Sequence, residues 1–145
     1  MNIKEEHQKP DKAALDSIRR NVEYVKTQFS ETLGVTLDLN SESIQWIDGY
    51  IDRNGKKLNN IKLGDGMANV LGSFLGETII EIYGGDWRLN HENLLGIRFD
   101  NNSWAFPFAK THKHFKNGPE DSIYSFFNMV PQFLDNSVTN NGKAK

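Results

Sequence analysis

The chain has 145 residues, of which 37% are hydrophobic and 25% charged, and its formal net charge is −2. This length fits one domain with a single core, and the near-neutral charge excludes a global attraction to nucleic acid or anionic membranes. The absence of cysteine excludes a disulfide scaffold, a thiolate nucleophile and cysteine-ligated metal centres. The polar N-terminus lacks a secretory h-region, and no apolar run approaches the ~20 residues that cross a bilayer. We therefore expect a cytoplasmic protein with no membrane partner.

A long amphipathic helix is predicted near the start of the chain. Residues 1–10 are polar and end in proline, and we interpret them as a flexible leader. From Asp11 to Leu33 the apolar residues recur at spacings of three and four, which is the stripe of one helix face. Gly34 follows directly and suits the C-terminal cap of this helix.

Two further helices are predicted before the middle of the chain. The second begins at Ser41, its N-cap, and ends at Asn54-Gly55, and a polar loop follows from Lys56 to Gly66. The third runs from about Asp65 to Tyr83, and its apolar stripe is too wide for an exposed helix. We therefore expect this third helix to be central and buried.

The third helix carries two glycines on one face and its own stop signal. Gly72 and Gly76 are four residues apart, and their missing side chains allow another element to approach closely. Gly84-Gly85 then ends the helix.

The hydrophobic period next changes from 3.6 toward 2, which indicates strands. We predict a short strand over Asp86–Leu89 and a half-buried strand over Leu95–Phe99. Asn101-Asn102 supplies a tight hairpin, and a return strand is predicted over Ser103–Lys110. Pro107 lies within that return strand and favours an edge position.

A last helix is predicted near the C-terminus, capped by Asp121 or Ser122 and limited or kinked by Pro131. Residues 135–145 are interpreted as a flexible tail, which leaves a single domain over residues 11–134. The predicted fold class is α+β. It has three N-terminal helices, a small three-stranded antiparallel meander packed on the central helix, and a C-terminal helix.

Several short motifs give the chain a family resemblance. They are Trp46-Ile47-Asp48 with Tyr50-Ile51, the stretch 71–77 (LGSFLGE), Tyr83-Gly84-Gly85 before Trp87, Phe106-Pro107-Phe108 with Lys110, and Asp121-Ser122-Ile123 before Phe126. On these motifs the region from Trp46 to about Phe127 resembles a group of small bacterial domains of unknown function. Such domains are similar in scale to the cytoplasmic immunity partners encoded beside bacterial toxins. The resemblance supplies no catalytic residues.

Glu77 is the first candidate for chemistry, because it lies in an otherwise apolar helix. A desolvated carboxylate could act as a base or bind a cation, in a ligand pocket formed with Trp87, Arg88 and Trp104. The structural alternative is that Glu77 accepts hydrogen bonds from backbone N–H groups or pairs with Arg88 or Arg98.

Alternating aromatic residues follow the central helix. A concave aromatic wall can bind a small molecule or the anchor residue of a partner protein. The alternative is that these rings form the core face of the sheet. The cluster consists of Trp87, Trp104, Phe106 and Phe108.

His112 and His114 form an H-x-H pair. If the preceding strand continues to Phe115, both rings point to the same face, a geometry that suits zinc or nickel. A site would need further ligands, and the neighbouring lysines disfavour a cation. We therefore assign no metal and no cofactor, and keep a metal-binding module as an alternative.

The same region is a basic segment, defined as residues 110–116. It contains Lys110, Lys113 and Lys116 and no acidic residue. Together with His112 and His114, these lysines could dock an acidic partner surface, whereas the structural alternative is a solvated strand end. Three lysines offer few phosphate contacts, so nucleic acid is disfavoured as a partner.

These observations favour a non-catalytic protein-binding module of a bacterial cytoplasm, with a toxin-neutralising immunity-type protein as its narrower form. An enzyme or small-ligand-binding domain using Glu77 near Trp87 remains an alternative, as does the metal-binding module. Enzymatic function is disfavoured because the sequence has no nucleophile elbow, phosphate loop or dinucleotide fingerprint.

Overall fold

The computed structural model describes residues 8–143, with side chains described as far as residue 134. Its first element is one long helix that comprises α1 (Lys12–Tyr24), a π-helical segment (Val25–Phe29) and α2 (Ser30–Leu33). Gly34 ends this helix at a φ of 67°, the left-handed conformation that the sequence predicts for its C-cap.

Helix α3 (Ser41–Asn60) starts close to the predicted position but is longer than predicted. Its N-cap is Asn40, whose side chain accepts a hydrogen bond from the Ser43 N–H at 2.8 Å, so the prediction of a Ser41 cap is wrong. The predicted end at Asn54-Gly55 is also wrong. A Cβ at Gly55 would lie 3.2 Å from the carbonyl oxygen of Phe115, so this glycine permits close helix packing and does not terminate the helix.

Helix α4 (Gly64–Tyr83) forms the centre of the domain, and residues 71–76 are buried without interruption. A Cβ at Gly76 would lie 2.2 Å from the indole of Trp87, and a Cβ at Gly72 would lie 2.9 Å from the ring of Phe108. The predicted close approach at both glycines is therefore confirmed.

The sheet contains β1 (Asp86–Leu89), β2 (Leu95–Arg98) and β3 (Trp104–Ala105), in the order β1-β2-β3 with antiparallel pairing. The α+β class and the three-stranded antiparallel sheet are thus confirmed. Trp87, Ile97 and Ala105 are register partners and are all buried, so they mark the core face. Because side chains alternate along a strand, Trp104 projects to the opposite face.

The return strand predicted over Ser103–Lys110 is wrong beyond Ala105. Helix α5 (Pro107–Asn117) begins there, with Pro107 in its first turn. Proline is favoured at that position because its φ already suits a helix and its missing N–H would have no partner inside the helix. The basic segment is consequently helical.

A 3₁₀ turn (Gly118–Asp121) leads into α6 (Ile123–Lys143). The helix continues through Pro131 and extends past residue 135, where the sequence predicts the start of a flexible tail.

Part of the predicted leader has a defined position. The carbonyl oxygen of Gln8 accepts a hydrogen bond from the Leu89 N–H at 2.8 Å, and Pro10 is buried. Residues 8–10 therefore lie against the outer edge of β1, and the rest of the predicted leader falls outside the described residues. Within the described chain, no helix is both long enough and apolar enough to cross a membrane.

The glycine contact at α4 gives a direct stability test. Gly76→Ala should lower the free energy of unfolding by about 1–3 kcal/mol, because the added methyl group overlaps the buried Trp87 ring. Gly66→Ala is the matched control, since a Cβ there meets nothing within 4 Å and the change should be neutral or stabilise by up to about 1 kcal/mol. Urea unfolding measures both. Equal stability of wild type and Gly76→Ala would contradict the described contact.

Candidate functional site

A cavity of about 680 Å³, which we call the groove, opens between the 90–95 turn, the β3 edge, α5 and α6. Its walls are mostly apolar and aromatic, and each ring in them is half-buried, outside the closed core. The apolar residues that define it are Leu94, Trp104, Phe106, Phe108, Phe126 and Phe133.

Two aromatic pairs line the groove. Trp104 and Phe106 stack with their ring centroids 5.7 Å apart and an interplanar angle of 5°. Phe126 and Phe133, two turns apart on α6, make an edge contact with centroids 6.3 Å apart. The arrangement presents large ring surfaces from two separate parts of the chain to one opening.

Helix α6 carries two apolar stripes, of which one is fully buried in the core and the other is half-buried at the groove. Ile123, Phe127 and Val130 are fully buried against the core. Phe126 and Phe133 form a second stripe that lines the groove, and Met129, 45% exposed, continues this stripe between them. A helix that only covered the core would need the first stripe alone.

Charged side chains stand at the rim of the groove. Lys110 forms an ion pair with Asp121 at 3.0 Å. Hydrogen bonds from Asn117 and then from Lys110 lower the pKa of Asp121, so this partner stays charged at a more acidic pH than an ordinary aspartate. Lys113 makes no ion pair with the described residues, and Glu92 lies on the 90–95 turn.

The structure divides the basic segment between two surfaces. Lys110 and Lys113 are three residues apart on α5 and line the groove. His112 and Lys116 instead line a separate cavity of about 450 Å³, where the His112 ring lies 3.0 Å from Asn69 Oδ1. The interpretation of residues 110–116 as a continuous strand surface is therefore wrong.

His114 points in another direction and is completely buried. Its Nδ1 accepts a hydrogen bond from the Ile123 N–H at 3.3 Å, which places the ring proton on Nε2. That nitrogen donates to Asp52 Oδ1 at 2.7 Å. The prediction that His112 and His114 face the same side is wrong, because residues two apart diverge on a helix.

Asp48 extends this network, in which His114 is buried and Asp52 is exposed, to the start of α6. Its Oδ1 accepts hydrogen bonds from Ser122 Oγ at 2.6 Å and from the Tyr124 N–H at 2.9 Å. Ser122 Oγ in turn caps α6 by accepting the Ser125 N–H at 3.0 Å. We call Asp48, Asp52, His114 and Ser122 the clamp, because they join α3, α5 and α6.

The donor atoms of Asp48, Asp52 and His114 lie within 4.8 Å of one another, the spacing of a potential metal site. The chemistry does not favour a cation there. The His114 lone pair already accepts a backbone N–H, and the adjoining cavity is also lined by Arg53 and Lys56. The clamp is explained by its hydrogen bonds alone.

Glu77 has a defined structural partner. Its Oε2 accepts a hydrogen bond from the indole N–H of Trp87 at 2.7 Å. This donor differs from the backbone or arginine donors that the sequence suggests, and Arg88 instead lies 3.4 Å from Asp86. The carboxylate thus fixes the orientation of the ring that packs on α4.

The four residues of the predicted ligand pocket do not converge. Glu77 and Trp87 meet at the core face of the sheet, whereas Trp104 projects from the opposite face and lines the groove. The predicted aromatic cluster divides into two ring pairs. Trp87 contacts Phe108 with ring centroids 5.5 Å apart, and Trp104 stacks on Phe106. Phe108 also lines the groove, whereas Trp87 does not.

Sequence reasoning does not identify two parts of these sites: the α6 side of the groove and the aspartates of the clamp. Phe133 is absent from the predicted site residues, although its seven-residue spacing from Phe126 is a helical repeat. The pair Asp48 and Asp52 is absent as well, although it has the spacing of one helix face. Neither spacing alone identifies the residues of other elements that these side chains contact.

Comparison with known proteins gives no further assignment. No family model matches the chain, and searches of curated proteins and of solved structures find no match. The resemblance to small bacterial domains therefore stays a prediction.

The role of Glu77 can be tested by substitution. Glu77→Ala should destabilise the domain by about 1–3 kcal/mol, because the buried indole N–H of Trp87 loses its acceptor. Glu77→Gln keeps an oxygen acceptor and should cost less than Glu77→Ala. Thermal unfolding gives both values, and equal losses for the two variants would show that the carboxylate charge, and not the hydrogen bond, is what matters.

The clamp gives a second test. His114→Ala should lower the free energy of unfolding by about 2–4 kcal/mol, since it opens a buried space and leaves Asp52 and the Ile123 N–H without their partner. His112→Ala, at a ring that is 37% exposed, should change it by less than about 0.5 kcal/mol. Chemical denaturation compares the two variants. Similar losses at both histidines would contradict the assignment of a clamp.

Proposed function

We propose that this domain is a non-catalytic protein-binding module and that the groove is its binding surface. The observation that carries the proposal is the set of aromatic rings held half-open at one face, although the fold already has a closed core. Exposed apolar patches rimmed by polar residues mark interaction sites. The proposed occupant is a partner protein that presents large apolar side chains beside acidic ones.

The ionisable groups of the groove support binding more than catalysis. Among the described residues, the titratable ones in the lining are Glu92, Lys110 and Lys113, and none of the described lining residues is histidine, serine or threonine. Lys110 is already held by Asp121. A catalytic site requires a nucleophile, a base and a stabiliser in mutual reach, and this lining does not supply that combination.

The surface also supports electrostatic selection of the partner. Helix α5 contains three lysines and no acidic residue, and two of these lysines border the groove. Glu92 lies on another part of the same lining, so the positive charge is confined to the α5 side of the groove. The proposed partner is therefore acidic where it meets α5, because opposite charges across an interface guide association.

The narrower hypothesis is that this partner is a bacterial toxin neutralised in the cytoplasm. An immunity-type protein acts by covering its target and needs no catalytic residues, which suits a groove of this composition. Helix α5 begins at Pro107, where the sequence predicts an edge strand, so a strand edge is not available there to cover the toxin. The proposed covering surface is therefore the groove.

A small apolar ligand with an anionic group is a second candidate occupant. The volume of about 680 Å³ falls within the range of small-molecule sites, and Lys113 stands where a carboxylate could bind. Native mass spectrometry of the freshly purified protein separates the two candidates. A stoichiometric bound small molecule would favour the ligand over the protein partner.

The protein-binding proposal predicts which side chains carry the affinity. A partner captured from the native host and then purified should bind Trp104→Ala and Phe133→Ala at least about tenfold more weakly than wild type, because buried aromatic anchors dominate interface energies. Calorimetric titration measures the Kd values.

Ile61→Ala is the matched control for this experiment. Ile61 is 55% exposed but follows α3 and lies outside the groove lining, so its removal should leave the Kd unchanged. Circular dichroism establishes that each variant is folded. Affinities that fall for Ile61→Ala and not for the groove variants would assign the binding surface elsewhere.

A further inference from the structure

We infer that the segment bound by the groove is an acidic amphipathic helix, an inference that rests on the proposed function. Three features of the groove support it: the short β3 edge, the second apolar stripe of α6 and the position of Lys113. The clamp and the cavity beside His112 lie outside this surface.

The β3 edge does not suit strand addition, a common mode of peptide recognition. Strand β3 has only two residues, Trp104 and Ala105, and Pro107 opens α5 immediately afterwards. The carbonyl oxygen of Phe106 is already used by the Lys110 N–H at 3.1 Å. Strand addition draws its affinity from a row of main-chain hydrogen bonds, and this edge is too short to provide such a row.

The length of the apolar stripe on α6 matches two turns of a bound helix. Phe126 and Phe133 are seven residues apart, so their stripe extends about 10 Å along α6, or two helical turns. The Trp104–Phe106 stack faces the same opening from the sheet side. A helix with apolar residues at positions i, i+3 or i+4, and i+7 presents anchors over the same length.

The charged side chains of the groove indicate where the bound helix is acidic. Lys110 is engaged by Asp121 at 3.0 Å, whereas Lys113 has no carboxylate within ion-pair distance among the described residues and is exposed. Its charge does contribute to the lowered pKa of Asp121, but by less than the hydrogen bonds from Asn117 and Lys110. Glu92 stands on the 90–95 turn, a different part of the same lining. The bound helix therefore carries Asp or Glu on the flank that meets α5, where it pairs with Lys113.

The experiment is a selection from a library of random 16-residue peptides displayed on phage, with the full chain as bait. Peptides that also bind Trp104→Ala are removed in a counter-selection, which keeps those that depend on the groove. The expected enriched sequences have apolar residues at helical spacing and an excess of Asp and Glu. Circular dichroism should show that the enriched peptides gain helix on binding.

A charge swap then tests the role of Lys113. Lys113→Glu should weaken an enriched peptide three- to tenfold, and replacing the acidic residues of that peptide by lysine should restore its affinity for this variant. Lys116→Glu is the matched control. It makes the same charge change on the same helix, but Lys116 lines the other cavity, so the affinity should change less than twofold.

The outcomes separate this inference from the proposed function. Groove-dependent peptides that alternate in an extended pattern, or that show no acidic preference, would overturn the helix inference and leave the groove as the binding surface. An equal loss of affinity for Lys113→Glu and Lys116→Glu would overturn the pairing with Lys113. If no selected peptide depends on Trp104, both the inference and the proposed function fail.

Discussion

The packing of the Trp87 indole on Gly76 is the contact on which the rest of the fold depends. The missing side chain at Gly76 lets the ring lie directly on α4, and Glu77 fixes its orientation through the indole N–H. Pro107 packs at the same glycine, where its Cγ would lie 3.1 Å from a Cβ. The sheet and the start of α5 are thus positioned by two adjacent residues of one helix.

Helix α5 connects this core contact to the proposed binding surface. Its inner face buries His114 and Phe115 against the other helices, and its outer face presents Lys113 at the groove. His114 also joins α5 to the first turn of α6, the helix that supplies Phe126. The α5 and α6 walls of the groove are therefore fixed relative to one another, and such preorganisation would suit the proposed binding function because it limits the entropy lost on association.

Local sequence patterns predict the fold class and several boundaries, because Gly34 and Gly84 are caps that act within their own helices. Pro107 is a position at which local sequence patterns do not determine the secondary structure. Proline suits an edge strand and the first turn of a helix equally well, and the alternation of Trp104, Phe106 and Phe108 favours the strand. Tertiary packing decides for the helix, since α5 places Phe108 on Gly72 and buries His114.

The site is less predictable than the fold, because tertiary packing and not local sequence pattern brings its residues together. Lys110 and Lys113 are evident in the sequence, but their separation from Lys116 depends on whether the segment is helical or extended. Phe133 lies 29 residues from Trp104 along the chain, and only the folded chain brings both to one cavity. The sequence pattern at Gly55 predicts a helix end, because its contact, Phe115, is even farther away along the chain.

The most direct test of the binding surface uses the three tryptophans as reporters. Two-dimensional ¹H–¹⁵N NMR resolves the indole N–H signals of Trp46, Trp87 and Trp104 while the purified partner is added. If the groove is the binding surface, the Trp104 signal shifts or broadens, whereas those of Trp87, which is buried on α4, and Trp46, which stacks on Tyr50, stay in place. A shifted Trp46 or Trp87 signal with an unchanged Trp104 signal would contradict the account.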